Sequence, residues 1–245
     1  MSFRSKLEKV KEKRRPYCTM VIPAAGSSQR MGGENKLFLP LEGMPVLMRT
    51  LIAADRAARV DEIIVATRDD LLLEVADLCA HSQLHKPVRV VKGGESRAES
   101  VLAAAMEADP RAELIAVHDG ARPLVRPEMI DALVQAGAKT YAAAPAVPVT
   151  DTVKVADEKG EVQATPDRRS LFAVQTPQVF QADILRAALQ SAVESHAEIT
   201  DDCSAVERLG KAVYLTEGDR ENIKITTPLD MDIAQAILRR REGSI

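Results

Sequence analysis

Short β-branched runs alternate along this chain with longer segments of helical period. The strand candidates are "CTMVIPAA" (18–25), "EIIVATR" (62–68), "VRVVKG" (88–93), "LIAVHDG" (114–120) and "TYAAAPAVPVT" (140–150). Between them, "PVLMRTLIAADRAA", "DLLLEVADLCAHSQ", "SRAESVLAAAMEAD" and "PEMIDALVQAGAK" repeat apolar residues every three to four positions. This rhythm predicts an α/β fold: one Rossmann-like, mostly parallel sheet with helices on both faces. Ligands of such sheets gather at the carboxyl ends of the strands, where the strand order reverses.

After Val149 the rhythm changes. "DTVKVADEKGEVQATPDRRSLFAVQTPQVF" reads as short strands joined by polar turns, with "DEKGE" at a hairpin tip. We expect residues of about 150–176 to project as a β-arm, and an arm with no core of its own finds cover on a partner, which predicts a homodimer. The α/β pattern then returns: a helix over 181–195, another capped at "TDD" and ending at Gly210, strands at "KAVYLTEG" and "ENIKIT", and a last helix with Thr227 as N-cap and Pro228 at its first position. The simplest division is a basic extension over 1–16, expected to be a solvated flexible arm, and one domain over 17–245.

With 245 residues, 46% of them hydrophobic and 28% charged, the chain is long enough for a sizeable core. A net charge of -3 leaves no global basic field for nucleic acid, so any bound anion must be held by local cations. No apolar run nears the roughly 18 residues a membrane helix needs, and the N-terminus lacks the apolar core of a secretory signal, so a cytoplasmic location without membrane attachment is expected. Three widely spaced cysteines fit reduced thiols, and no Cys/His cluster points to zinc.

Four segments carry candidate chemistry. "VIPAAGSSQRMGGENK" (21–36) leaves a strand; Gly26, Gly32 and Gly33 permit close backbone approach, and Arg30 and Lys36 add charge, which suits an anion nest. It matches neither a P-loop nor a GxGxxG fingerprint, and a plain surface turn stays open. "KGGESRAES" (92–100) puts Ser96, Arg97 and Ser100 in the first turn of a helix after a glycine turn, fitting either an anion or base contact or ordinary capping. "VHDGARP" (117–123) offers Asp119 at a strand end for a metal or hydroxyl and Arg122 for a phosphate, or merely an Asx-turn. In "NIKITTP" (222–228) strand alternation would set Lys224 opposite Ile223 and Ile225, as a ligand or as a solvated edge lysine. Asp201 and Asp202 suit helix capping better than metal, and His81 with His85 lack a third ligand.

Taken in order, "PAAGSSQRMGGENK", "LPLEGMPVL", "GGESRAESV", "VHDGARP", "PVTDTVK", "TPDRRSLFAVQTPQVF", "ITDDCSAVE" and "NIKITTPLDM" resemble the 2-C-methyl-D-erythritol 4-phosphate cytidylyltransferase family from Cys18 to the last helix. The resemblance implies transfer of CMP from CTP to 2-C-methyl-D-erythritol 4-phosphate in non-mevalonate isoprenoid synthesis, with release of pyrophosphate. It implies catalytic roles for Arg30 and Lys36 at the triphosphate, and for Arg168 and Lys224 at the methylerythritol phosphate. It further implies nucleotide contacts from Ala24, Ala25, Gly26, Gly94, Glu95 and Ser100, and substrate-side contacts from Asp119, Arg122, Thr152 and Thr176. Mg²⁺ is implied, held mainly by the CTP phosphates with Asp119 close by, and Arg168 would reach the partner's site in an arm-exchanged dimer. Ser28, Gln29 and Leu37 depart from the usual glycine, basic residue and glutamine. Two rival readings are a cytidylyltransferase for another polyol phosphate, such as ribitol 5-phosphate, and a nucleotide-binding regulator without catalysis.

Overall fold

The computed structural model describes residues 15–26 and 35–243; the N-terminal extension up to residue 14 and the loop carrying Ser28, Gln29, Arg30, Gly32 and Gly33 lie outside the described residues. Strand β1 (Tyr17–Pro23) is apolar on both faces, with Met20 and Ile22 packed into one core and Val21 into the other. Two-residue strands β2 (Pro40–Leu41) and β3 (Met44–Pro45) meet across Glu42 and Gly43, which have φ of 46° and 74°. That primed-type hairpin turn needs left-handed backbone, which glycine adopts without strain. Helix α1 (Val46–Arg56), β4 (Glu62–Thr67), α2 (Leu72–Ala80), β5 (Val88–Lys92), α3 (Arg97–Met106), β6 (Ala112–Val117), α4 (Pro127–Thr140) and β7 (Ala142–Pro148) follow in strict alternation.

The arm then leaves the body as β8 (Val155–Ala156) and β9 (Val162–Ala164), a hairpin in which every residue is exposed. Its tip turns at Gly160, φ 83°, with the Asp157 carboxylate accepting the Lys159 and Glu161 N–H groups at 2.9 and 3.0 Å. The chain returns as β10 (Phe172–Val174) and β11 (Gln178–Gln181), then α5 (Ala182–Glu194), α6 (Asp202–Arg208), β12 (Tyr214–Glu217) and α7 (Pro228–Glu242).

The main sheet runs β10-β7-β11-β6-β1-β4-β5, with β12 on β7. Strands β6, β1, β4 and β5 pair in parallel, whereas β11 is antiparallel to both β6 and β7. The sheet is therefore mixed but mostly parallel, and the order reverses at β1. One core under α1, α2 and α4 and another under α3, α5 and α6 cover its two faces. Where α4 crosses β11, a Cβ at Gly137 would sit 2.5 Å from Val179 Cγ1, so only glycine allows this approach.

One expected strand does not form. "ENIKIT" has no ladder partner: its backbone groups are taken singly, Ile225 N–H by the Ala121 carbonyl at 2.9 Å and the Asn222 carbonyl by Arg122 Nη1 at 2.7 Å. The expected alternation survives as packing, because Ile223 and Ile225 join Leu41, Val46, Leu124 and Leu238 in a third apolar cluster while Lys224 turns away. Among the described residues no helix is long and apolar enough to cross a membrane. The last helix begins as expected, with Thr227 and Asp230 forming a reciprocal cap and Pro228 in the first turn.

Candidate active site

The carboxyl ends of β1, β4, β5 and β6 converge beside the point where the strand order reverses, and a cavity of about 660 Å³ opens there. Ala24, Ala25 and Gly26 extend from β1, Gly94 to Arg97 from β5, and Asp119 to Ala121 from β6. Lys36, Leu37 and Ser100 add to the wall, and Lys224 and Thr226 enter from the segment before α7. Four cationic side chains, Lys36, Arg68, Arg97 and Lys224, face two acidic ones, Glu95 and Asp119, so the cavity favours an anionic ligand.

Sequence and local geometry explain the β5 turn. Ser96 caps α3 and accepts the Glu99 N–H at 3.1 Å, while Glu99 Oε2 accepts the Ser96 N–H at 2.9 Å, so capping accounts for both. Buried Ser100 accepts the Gly94 N–H at 3.1 Å and donates to the Ser96 carbonyl at 2.9 Å. A Cβ at Gly94 would stand 2.2 Å from Glu99 Cβ, so the glycine is required for the turn to lie against its own helix. Ser100 thus holds the turn from beneath, leaving Gly94 and Glu95 exposed at the cavity.

Asp119 is the electrostatic centre of the opposite wall. Its Oδ2 meets Lys224 Nζ at 3.0 Å and Arg122 Nε at 3.3 Å, and its Oδ1 meets Arg97 Nη2 at 3.5 Å. Burial would raise this carboxyl's pKa, but the charges of Lys224, Arg97 and Arg122 more than offset that and hold it well below the usual carboxylate range. Arg97 also forms an ion pair with the fully buried Asp202 at 2.8 Å. Lys36 Nζ donates to the Ile225 carbonyl at 2.6 Å, which ties the β1 loop to the segment carrying Lys224.

Of the residues singled out in the sequence, Ala24, Ala25, Gly26, Lys36, Gly94, Glu95, Ser100, Asp119 and Lys224 share this one cavity. Arg122 and Thr176 stand behind it. The Arg122 guanidinium bridges Asp119 and the Asn222 carbonyl, and Thr176 Oγ1 accepts the Asp119 N–H at 3.0 Å. Thr152 and Arg168 do not line it; they are exposed at the base of the arm, with Arg168 Nη1 donating to the Thr150 carbonyl at 3.2 Å. Arg30 lies outside the described residues.

Leu37 is buried in the core beneath the wall, so an apolar residue suits that position. His81 bonds to the Asp77 carbonyl and His85 to Asp55, so the two rings do not converge. Asp201 caps α6 as expected, accepting the Ser204 N–H at 2.9 Å, but Asp202 does not. Its partner Arg97 lies 105 residues earlier, too far for any local pattern to reveal the pair. Among the described residues no three His, Cys, Asp or Glu side chains cluster as a metal cage.

The family model for 2-C-methyl-D-erythritol 4-phosphate cytidylyltransferase matches residues 18–240. The chain is 45% identical over 226 residues to the 2-C-methyl-D-erythritol 4-phosphate cytidylyltransferase of Caldanaerobacter subterraneus subsp. tengcongensis, covering 90% of this chain and 98% of the relative. It is 40% identical over 226 residues to that of Trichormus variabilis, covering 92% and 99%. The crystal structure of 4-diphosphocytidyl-2C-methyl-D-erythritol synthase from Anaerococcus prevotii superposes with a TM-score of 0.83 at 31% identity, covering 92% of this chain and all of that one.

Proposed function

The chain belongs to the 2-C-methyl-D-erythritol 4-phosphate cytidylyltransferase family, and on that premise we propose how its residues carry out the reaction. The enzyme transfers CMP from CTP to 2-C-methyl-D-erythritol 4-phosphate, giving 4-diphosphocytidyl-2-C-methyl-D-erythritol and pyrophosphate for isoprenoid synthesis. A phosphate oxygen of the acceptor attacks the α-phosphorus, the new P–O bond forms, and the α–β bridge bond breaks with its electron pair leaving on pyrophosphate. The nucleophile is already anionic, so the residues have no proton to remove; their work is charge neutralisation and alignment.

In our reading the triphosphate lies along the β1 loop, against Lys36 and, from the loop beyond Gly26, Arg30. The cytosine and ribose sit at Gly94 and Glu95 over the turn that Ser100 holds. Lys224 takes the acceptor phosphate, and Asp119 with Arg122 sets where that lysine points. The observation that carries this reading is the union of Lys36, Gly94, Asp119 and Lys224 around one cationic cavity.

Mg²⁺ is implied by the family, and the donor set fits an ion borne by the nucleotide. Asp119 is held ionised at the cavity wall, and no protein cage of three ligands stands near it among the described residues. Asp119 would supply one protein oxygen, and the bound ion would offset phosphate charge and orient the triphosphate.

Thr152 and Arg168, exposed outside their own subunit's cavity, fit a second subunit's site, with the coreless hairpin covered by that partner. We therefore include a homodimer in the reading. Two measurements test it. Pyrophosphate release from CTP and Mg²⁺ should be fast with methylerythritol phosphate and slow with ribitol 5-phosphate; the reverse preference would overturn the substrate assignment. Mixing inactive Arg168→Ala and Lys36→Ala subunits should restore activity through hybrid dimers, because both mutations then fall in one site and leave the other intact. Mixtures that exchange subunits but stay inactive would refute the shared site.

A further inference from the structure

Behind the cavity wall lies a ring of hydrogen bonds that the reaction scheme leaves unused. His118 is fully buried at the end of β6. Its Nε2 faces the Arg122 carbonyl at 3.2 Å, and its Nδ1 faces Thr176 Oγ1 at 2.9 Å. A carbonyl only accepts, so Nε2 carries the proton; in a neutral ring Nδ1 then accepts from the Thr176 hydroxyl. The Thr176 oxygen is left with lone pairs for the Asp119 N–H.

Two further bonds close the circuit. Arg122 Nη1 donates to the Asn222 carbonyl at 2.7 Å, and Asn222 Nδ2 donates to the Thr176 carbonyl at 2.8 Å. Each member gives one hydrogen bond and receives one: His118 to Arg122, Arg122 to Asn222, Asn222 to Thr176, Thr176 to His118. The ring thereby grips the Asp119 backbone on one side and Asn222, two residues before Lys224, on the other. Past the lysine, Ile225 N–H is fixed to the Ala121 carbonyl at 2.9 Å.

We propose that His118 is a positioning residue for cytidylyl transfer, which, with its proton on Nε2, closes a ring through Arg122, Asn222 and Thr176 that sets Lys224 against Asp119. The inference rests on the reading above, in which Lys224 holds the acceptor phosphate. His118 touches no substrate; it acts through its neighbours. A neutral ring satisfies both contacts, its Nε2–H given to a carbonyl and its Nδ1 receiving a hydroxyl proton. A structural histidine filling the same space would need neither a fixed tautomer nor three partners linked in a closed ring.

The split between turnover and binding separates the two roles. The ring lies under the acceptor side and none of its members lines the cytosine turn, so its loss should fall on kcat and spare the KM for CTP. His118→Phe keeps the ring shape and removes both bonds; we expect kcat to fall about 100-fold, the scale of an ångström's misplacement, with the KM for CTP within about threefold of wild type. His118→Gln can still offer an N–H toward the Arg122 carbonyl and should recover part of the loss.

A His118→Phe enzyme that melts cooperatively and turns over within about threefold of wild type overturns the inference. So does a glutamine variant no better than phenylalanine. Should the phenylalanine variant fail to fold, Asn222→Leu cuts the same ring and must show the same loss in kcat; wild-type kcat there is equally fatal. Lys224→Met, assayed alongside, separates the two readings. If it turns over normally the acceptor-site assignment fails, whereas if it is inactive while His118→Phe is fully active, only the ring fails.

Discussion

One buried ring should contribute to the loss of this fold's stability in acid. His118 titrates near 4 in the folded chain against 6.5 for an ordinary histidine, because burial disfavours the imidazolium. Between those values the unfolded chain binds a proton that the folded chain refuses, so stability rises with pH there. The contribution is fully present above about 6.5 and is lost as pH falls toward about 4. At roughly 1.4 kcal/mol per tenfold, the whole shift is worth about 3 kcal/mol, of which about 2 kcal/mol should vanish between pH 7 and pH 4.5. Other groups titrate in acid too, so the measurement is a difference: urea denaturation of wild type and His118→Phe at both pH values. The substitution carries its own cost, but that cost does not change with pH. We expect wild type to lose about 2 kcal/mol more than the variant over this interval. Parallel losses in the two proteins would mean that His118 takes a proton in the folded state as readily as in the unfolded one, and the neutral-ring argument would fall with it.

Lys36→Ala should lower turnover by about 100-fold or more and cost about 1 kcal/mol of stability for its lost bond to the Ile225 carbonyl, too little to explain the loss; near-normal pyrophosphate release would return Lys36 to a structural role. Asp202→Leu removes the buried partner of Arg97 and should cost about 3 kcal/mol in urea unfolding, because the guanidinium keeps its charge and loses its nearest anion. Gly137→Ala should destabilise by about 1–3 kcal/mol with kcat unchanged, as the added methyl meets Val179 at 2.5 Å, far from the cavity; unaltered stability would show that α4 can shift on the sheet.

Periodicity made the sheet legible because β1, β4 and β6 are largely buried on both faces and, with the edge strand β5, stand between amphipathic helices. It did not reveal that β11 inserts antiparallel between β6 and β7, since strand direction leaves no mark on a run as short as "QVFQ". "ENIKIT" misled for a physical reason: alternating isoleucines bury one face equally well in a strand or in an irregular segment pinned by side chains. The cavity residues were legible as motifs at strand ends. What supports them was not. His118, Asn222 and Thr176 meet across 104 residues of sequence, and Arg97 meets Asp202 across a similar span, through contacts that only the packed sheet creates. A histidine at a strand end carries no sign of the partners it will find.

The three cations around Asp119 have a further consequence for anything that visits the cavity. A phosphate arriving at Lys224 does not meet a bare charge; it trades places with a carboxylate already there. In the proposed reading its gain is then the difference between two ion pairs, smaller than an unpartnered lysine would give. In that reading Asp119 competes with a departing product for Lys224, so the carboxylate that orders the lysine also loosens its hold on a phosphate.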